Sequence, residues 1–257
     1  MAFHPRQLPP GAGVVRVEYG PQVATVWIDH PTARNAISPG MMVGLGDIVD
    51  ELTAWDGVAV IVTGAGRDAF CAGGDLKAVA AHWVTPEAGI RVGAWMSAVL
   101  DRFAQLPLVS VAAVEGAALG GGAELLTAVD FVVAADDASI GFVHASLGVS
   151  PGWGGAQRLC QKVGSRAALR FLAFAERHDA LGAHGLGLVD DVAPSGQALQ
   201  VAHRLLAPLL ALPVPAVRAA VRLARCGSRD DERAAFASLW GGPAHLAALG
   251  DRGRRGR

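Results

Sequence analysis

The alternation of apolar and polar positions divides the chain into two parts of different character. Residues 14–18 and 23–28 are rich in β-branched side chains and read as two strands, and Gly20-Pro21 between them predicts a hairpin. Ser38-Pro39 predicts a helix start, with serine as N-cap and proline at the first helical position, and the helix runs to about Ala54. Residues 58–63 form a short apolar run bounded by Gly57 and Gly64, the signature of a buried strand. A glycine-rich loop follows over 64–74. Helical spacing returns over 86–104, then a second buried strand over 109–114 and a helix over 120–128. Two more strands follow over 131–134 and 139–142. Strands alternating with helices predict an α/β core with much parallel pairing.

After Pro194 the strand signal stops. Residues 196–210, 214–226, 230–240 and 243–249 are rich in Ala, Leu and Arg with helical spacing. The expected organisation is a core over residues 1–195, a helical region over 196–250 that packs on the core or on a partner, and an unstructured Arg/Gly tail over 251–257.

Composition narrows the class. Hydrophobic residues at 52% and charged residues at 18% exclude an intrinsically disordered chain. Lys plus Arg is 22 against Asp plus Glu 23, a balance with no general attraction for nucleic acid or a membrane surface. The 33 glycines show no collagen period, so they serve tight turns and close backbone approach to something bound. The stretch 106–135 is the most apolar, but Glu115, the glycines 120–122, Glu124 and Asp130 interrupt it, and it does not read as a membrane span. Cys71, Cys160 and Cys226 have no CxxC spacing, and the start Met-Ala-Phe-His-Pro-Arg lacks signal-peptide features. Together they predict a soluble cytoplasmic protein with no structural zinc and no metal site.

Two motifs fail on their chemistry. Gly64-Ala65-Gly66-Arg67-Asp68-Ala69 fits a dinucleotide fingerprint, but that fingerprint must open a helix directly, and here Phe70-Cys71-Ala72-Gly73-Gly74 prolongs the loop. Gly148-Val149-Ser150-Pro151-Gly152 fits a nucleophile elbow. The elbow needs a backbone N–H on the residue after the serine, and Pro151 has none.

Two glycine clusters remain, each after a buried strand: Ala69-Phe70-Cys71-Ala72-Gly73-Gly74-Asp75-Leu76 and Gly116-Ala117-Ala118-Leu119-Gly120-Gly121-Gly122-Ala123-Glu124-Leu125. Each can present an N–H that no side chain shields. Two such donors converging on one oxygen make an oxyanion hole, often worth about 3 kcal/mol per donor. The glycines are equally compatible with tight turns alone. The second cluster also opens a helix, whose N-terminus favours negative charge.

These residues, with Val62-Thr63-Gly64-Ala65-Gly66, Arg34-Asn35-Ala36-Ile37 and Pro151-Gly152-Trp153-Gly154-Gly155-Ala156-Gln157-Arg158-Leu159, strongly resemble the crotonase (enoyl-CoA hydratase/isomerase) superfamily, in the right order over about residues 14–250. The resemblance implies an α/β fold, a spiral of ββα units followed by a helical C-terminal trimerisation region. It implies oxyanion N–H groups at Gly74 and Gly121. Coenzyme A, as part of the substrate and not a cofactor, would lie along Arg34, Ala36, Ala72, Gly74, Asp75, Leu76, Lys77, Gly121 and Trp153. The partners implied are an acyl-CoA substrate and further copies of the chain, as a homotrimer or a dimer of trimers (a homohexamer).

Hydratases of that superfamily carry two glutamates that hold a water. The first matches Glu124. The second position, four residues before Gly148, holds His144. A carboxylate about 5 Å from a bound carboxylate repels it by roughly 3 kcal/mol at an effective dielectric of 20. Histidine removes one such repulsion and can donate a hydrogen bond to the anion. The site therefore suits an acyl-CoA that carries its own carboxylate.

Phe142-Val143-His144, the run from Leu147 to Gly155, and Leu239-Trp240-Gly241-Gly242-Pro243-Ala244-His245-Leu246 resemble the ethylmalonyl-CoA decarboxylase branch. That resemblance implies decarboxylation of a 2-alkylmalonyl-CoA through a thioester enolate, with His144 orienting the carboxylate and Glu124 returning the proton, or the reverse. An alternative is an enoyl-CoA hydratase or isomerase that uses Glu124 alone as acid/base. A third reading, a non-catalytic RNA- or partner-binding protein, has only the tail arginines as support.

Overall fold

A computed structural model describes residues 10–78 and 84–255, without the side chains of 226 and 251–255. Its strands are β1 (Val14–Tyr19), β2 (Val23–Asp29), β3 (Ala59–Gly64), β4 (Ala69–Cys71), β5 (Val109–Val114), β6 (Ala117–Leu119), β7 (Phe131–Ala135), β8 (Ser139–Gly141), β9 (Arg177–Asp179) and β10 (Asp191–Ala193). Its helices are α1 (Pro39–Ala54), α2 (Pro86–Ala104), α3 (Gly121–Leu126), α4 (Gly155–Leu172), α5 (Ala180–Gly185), α6 (Ala198–Leu210), α7 (Val214–Cys226), α8 (Arg229–Leu239) and α9 (Pro243–Arg255).

The chain order is a repeat of two strands and a helix: β1-β2-α1, β3-β4-α2, β5-β6-α3 and β7-β8-α4. From the second unit on, the first strand joins a six-stranded sheet, ordered β1-β2-β3-β5-β7-β10. The second strand joins a four-stranded sheet, ordered β4-β6-β8-β9. Among the strands of the described residues, only β1/β2 and β8/β9 pair antiparallel. This is the ββα spiral that the family resemblance implies, and the hairpin turn is closed by Gly20 N–H on Val23 O at 2.9 Å.

The large sheet is buried on both faces because successive side chains point to opposite sides. Val60, Val62, Ala112, Val114, Val132 and Ala134 enter one core, with α1 and α2. Ala59, Ile61, Val111, Ala113 and Val133 enter a second core, closed by Ala198, Val201, Ala202 and Leu206 of α6. The composition shift near Pro194 thus coincides with the last strand, and the first helix beyond it completes the core. Continuing through Arg255, α9 makes most of the tail expected to be unstructured helical; residues 256–257 lie outside the described ones.

Local chemistry sets the helix starts. Ser38 Oγ accepts from Met41 N–H ahead of α1, and Thr85 Oγ1 accepts from Ala88 N–H ahead of α2, each with proline at the first turn. The three-residue strands β4 and β6 lie inside the two glycine clusters, β4 in the segment read as a glycine-rich loop. They place both glycine clusters side by side in the small sheet, since Ala69 and Cys71 pair with Ala117 and Ala118.

Candidate active site

The loop after β4 and the N-terminus of α3 meet at the edge of the small sheet. Gly73, at φ 100°, approaches so closely that a Cβ there would lie 3.1 Å from Gly121 N. A Cβ on Gly122 would fall 2.0 Å from Cys71 O, so only glycine permits that approach. Ile37 N–H donates to Gly73 O, and Ile37 O accepts from Asp75 N–H, at 2.7 and 3.0 Å. This parallel bridge turns the intervening Gly74 N–H away from Ile37. Gly121 is the first residue of α3, where N–H groups have no helical partner. Among the described residues, neither N–H is donated in a loop or turn bond.

Both glycines line a cavity of about 690 Å³. Ala72, Leu76, Glu124, His144 and Trp153 line it too, with Met42, Val92 and Val149 among its apolar walls. The 8% exposed Trp153 ring lies over these two glycines: a Cβ on Gly121 would be 2.5 Å from its Cζ3, and one on Gly74 3.8 Å from its Cζ2. A larger cavity, about 900 Å³, lies between α7 and α8 and carries none of these groups.

Glu124, 1% exposed, projects from the first turn of α3. Its Oε2 accepts from Trp153 N–H at 2.8 Å and Gly155 N–H at 2.9 Å, and its Oε1 accepts from Gly152 N–H at 3.3 Å. His144 Nε2 lies 3.1 Å from the same Oε1. These four groups occupy the four acceptor positions of one carboxylate. His144 follows β8 and precedes a 3-10 turn that ends at Gly148 in the left-handed conformation. Its Nδ1 is buried and has no hydrogen-bond partner among the described residues.

The other residues expected along a coenzyme lie outside the cavity lining. Arg34 is exposed, and its carbonyl accepts from Ala72 N–H at 3.0 Å. The Ala36 carbonyl faces His30 Nδ1 at 3.0 Å. Asp75 caps the helical turn that begins at Leu76, its Oδ1 accepting from Lys77 N–H at 2.9 Å. Asp75 and Lys77 therefore shape the loop end through this cap, and Leu76 is the member of that turn that reaches the cavity.

Two residues quoted only as parts of motifs turn out to be anchors. Arg34 and Asn35 both have positive φ, 54° and 56°, a costly conformation for side-chain-bearing residues. Buried Asn35 holds it in place: Oδ1 accepts from His30 N–H, and Nδ2 donates to Ala65 O and Ala69 O. Arg158 ties the loop carrying Trp153 to α2 and α3. Burial pushes its guanidinium below the ordinary value while Asp101 opposes that shift. The Cys71 thiol, wholly buried behind the site, is pushed up to about 12 by burial, so it is no thiolate nucleophile. Ser150 stands in irregular chain before Pro151, not at a strand-to-helix turn.

The family Enoyl-CoA hydratase/isomerase matches residues 18–237. The ethylmalonyl-CoA decarboxylase of Danio rerio is 44% identical over 240 residues, 88% of this chain and 79% of that protein. The Homo sapiens protein of the same name is 37% identical over 257 residues, covering 95% and 83%. Among solved structures, an enoyl-CoA hydratase from Bacillus anthracis superposes with a TM-score of 0.87 at 29% identity, covering 94% of this chain and 96% of that one. The ββα spiral, the paired glycine clusters and the matched residues agree: the chain belongs to the enoyl-CoA hydratase/isomerase, or crotonase, family.

Proposed function

We propose that the protein decarboxylates a 2-alkylmalonyl-CoA, ethylmalonyl-CoA or methylmalonyl-CoA, with no cofactor. The observation that carries this reading is His144 at 3.1 Å from Glu124, where a water-holding pair would need a second carboxylate. The relatives named ethylmalonyl-CoA decarboxylase support it.

The thioester oxygen sits between the N–H groups of Gly74 and Gly121, and the substrate carboxylate lies out of the thioester plane near His144. The bond between C2 and the carboxylate carbon breaks, its electron pair moves into the thioester, and CO₂ leaves. The two N–H groups stabilise the resulting enolate oxygen, and Trp153 keeps water from it. A proton then returns to C2, giving butyryl-CoA or propionyl-CoA. With Glu124 occupied by four donors, one of them His144 Nε2, the reading draws the returning proton from this hydrogen-bonded pair as a unit, and the pair regains one from water. The same occupation speaks against hydration by Glu124 alone. Release of labelled CO₂ from carboxyl-labelled ethylmalonyl-CoA tests the reaction, and its absence refutes it.

The reading includes a trimer or dimer of trimers. Exposed Phe236 and Trp240 on the C-terminal helices, with an apolar groove along Phe131, Leu212 and Val221, support that assembly. Light scattering on the eluted protein decides it, and a monomer would refute it.

A further inference from the structure

We propose that Arg158, through a clamp with Asp101, is a positioning residue that sets both halves of the site. The inference rests on the reading of that site given above. Its basis is one segment, residues 152–155, gripped from two sides. On one side its N–H groups converge on Glu124. On the other, Arg158 Nη2 donates to the Trp153 carbonyl at 2.5 Å.

The guanidinium is in turn fixed at its other two nitrogens. Nε donates to Thr127 Oγ1 at 3.1 Å, and Nη1 donates to Asp101 Oδ1 at 2.5 Å. Thr127 itself donates to the Glu124 carbonyl at 2.6 Å, so the clamp reaches Glu124 through the α3 end as well. Room for the guanidinium comes from Gly154, at φ 77°, where a Cβ would lie 2.7 Å from Nη1. The Arg158 side chain is 11% exposed, so its contacts to Thr127 and Trp153 lie away from bulk water, while Asp101, 62% exposed, holds Nη1 from the solvent side.

Trp153 transmits this placement in two directions. Its N–H holds Glu124 Oε2, whose partner oxygen faces His144. Its ring packs over Gly121 and Gly74. A shift of the Trp153 peptide therefore moves the ring over the oxyanion donors and the carboxylate that orients His144 together. A rigid planar fork can hold three acceptors in fixed directions, and a lysine ammonium in its place cannot.

The test compares wild type with R158K, R158A and D101N. In R158K, kcat falls about 10- to 100-fold while KM stays within about threefold, as expected when reacting groups are displaced by an ångström or less. Millimolar guanidinium restores a measurable part of the kcat lost in R158A. D101N, which frees only Nη1, loses less than R158K, and the double variant loses less than the product of the two. Amide exchange over 152–155 in the free protein is at least about tenfold faster in R158K.

Unchanged kcat, a KM rise that accounts for the loss, or unchanged exchange overturns the proposal. R158K and D101N carry the test if R158A does not fold. Exchange is read without substrate, so the two failures differ. A wrong reaction leaves ethylmalonyl-CoA untouched by wild type with exchange still faster in R158K, while a wrong clamp leaves exchange unchanged.

Discussion

Glu124 Oε1 and His144 Nε2 lie 3.1 Å apart, and three backbone N–H groups fill the remaining acceptor positions of that carboxylate. Glu124→Gln sets an amide NH₂ against N–H donors it cannot accept. Stability falls by about 1–3 kcal/mol, the cost of a buried group losing its partner. Turnover falls by roughly 100-fold or more, since His144 loses its orientation. Denaturant titration and a CO₂ assay on the same preparation check both. Full activity in the variant would remove Glu124 from the chemistry.

His144→Glu restores the two-carboxylate arrangement. At about 5 Å and an effective dielectric of 20 the new charge repels a malonyl carboxylate by roughly 3 kcal/mol. That is about a hundredfold loss in kcat/KM for ethylmalonyl-CoA. Binding of butyryl-CoA, which has no such carboxylate, is expected to change little. Equal loss for both ligands would show that the substitution damages the pocket generally.

Gly121→Ala and Gly122→Ala separate placement of a donor from folding. At Gly121 the new Cβ meets the Trp153 ring at 2.5 Å, a side chain that can shift, so the expected effect is a kcat loss of about 100-fold or more. At Gly122 it meets the Cys71 carbonyl at 2.0 Å, backbone that cannot move, and the expected effect is loss of folded protein. Thermal melts beside kinetics distinguish the two, and a Gly121→Ala variant with full kcat would contradict the oxyanion assignment.

Gly89 lines the cavity mouth from α2, and a Cβ there meets nothing within 4 Å among the described residues. Gly89→Leu takes its volume from the cavity. Discrimination between methylmalonyl-CoA and ethylmalonyl-CoA then shifts toward the smaller substrate by about 10-fold or more, the range for one methylene in a tight pocket. An unchanged ratio of kcat/KM values would place the alkyl group elsewhere.

Cys71 is held protonated by burial, its value raised to about 12. A raised acid favours the folded state below the unfolded value, near 9, and that stability is lost as pH rises from there toward 12. The slope of stability against pH in this window is expected to be steeper in wild type than in Cys71→Ala. Native alkylation at pH 8 modifies exposed Cys160 and spares Cys71. Modification of Cys71 in the folded protein would contradict its burial.

Much of the fold was legible where a period could be counted. Strands β1, β2, β3, β5, β7 and β8 and the capped helices α1 and α2 carry clear alternation or helical spacing. Strands β4 and β6 are as short as β8 but lie within glycine clusters, where no apolar run stands out from the turn residues. The first stretch of α4 is rich in Arg, Gln and Gly and breaks at Gly164, which has φ 75°. The glycine donors, Glu124 and His144 were legible as residue types at matching positions. Their coupling was not, because the donors to Glu124 are backbone N–H groups 28 to 31 residues away, which leave no side-chain signature. Asn35 stayed hidden for the same reason, since all its partners are backbone atoms, and Arg158 because its side-chain partners Asp101 and Thr127 lie 57 and 31 residues away.

The most direct measurement incubates the purified protein separately with ethylmalonyl-CoA, methylmalonyl-CoA and crotonyl-CoA and follows products by mass spectrometry, for wild type and His144→Ala. The predicted result is butyryl-CoA or propionyl-CoA from a malonyl substrate, lost in His144→Ala, with crotonyl-CoA unchanged. Hydration of crotonyl-CoA with both malonyl substrates intact would contradict the account and leave Glu124 as the sole acid/base.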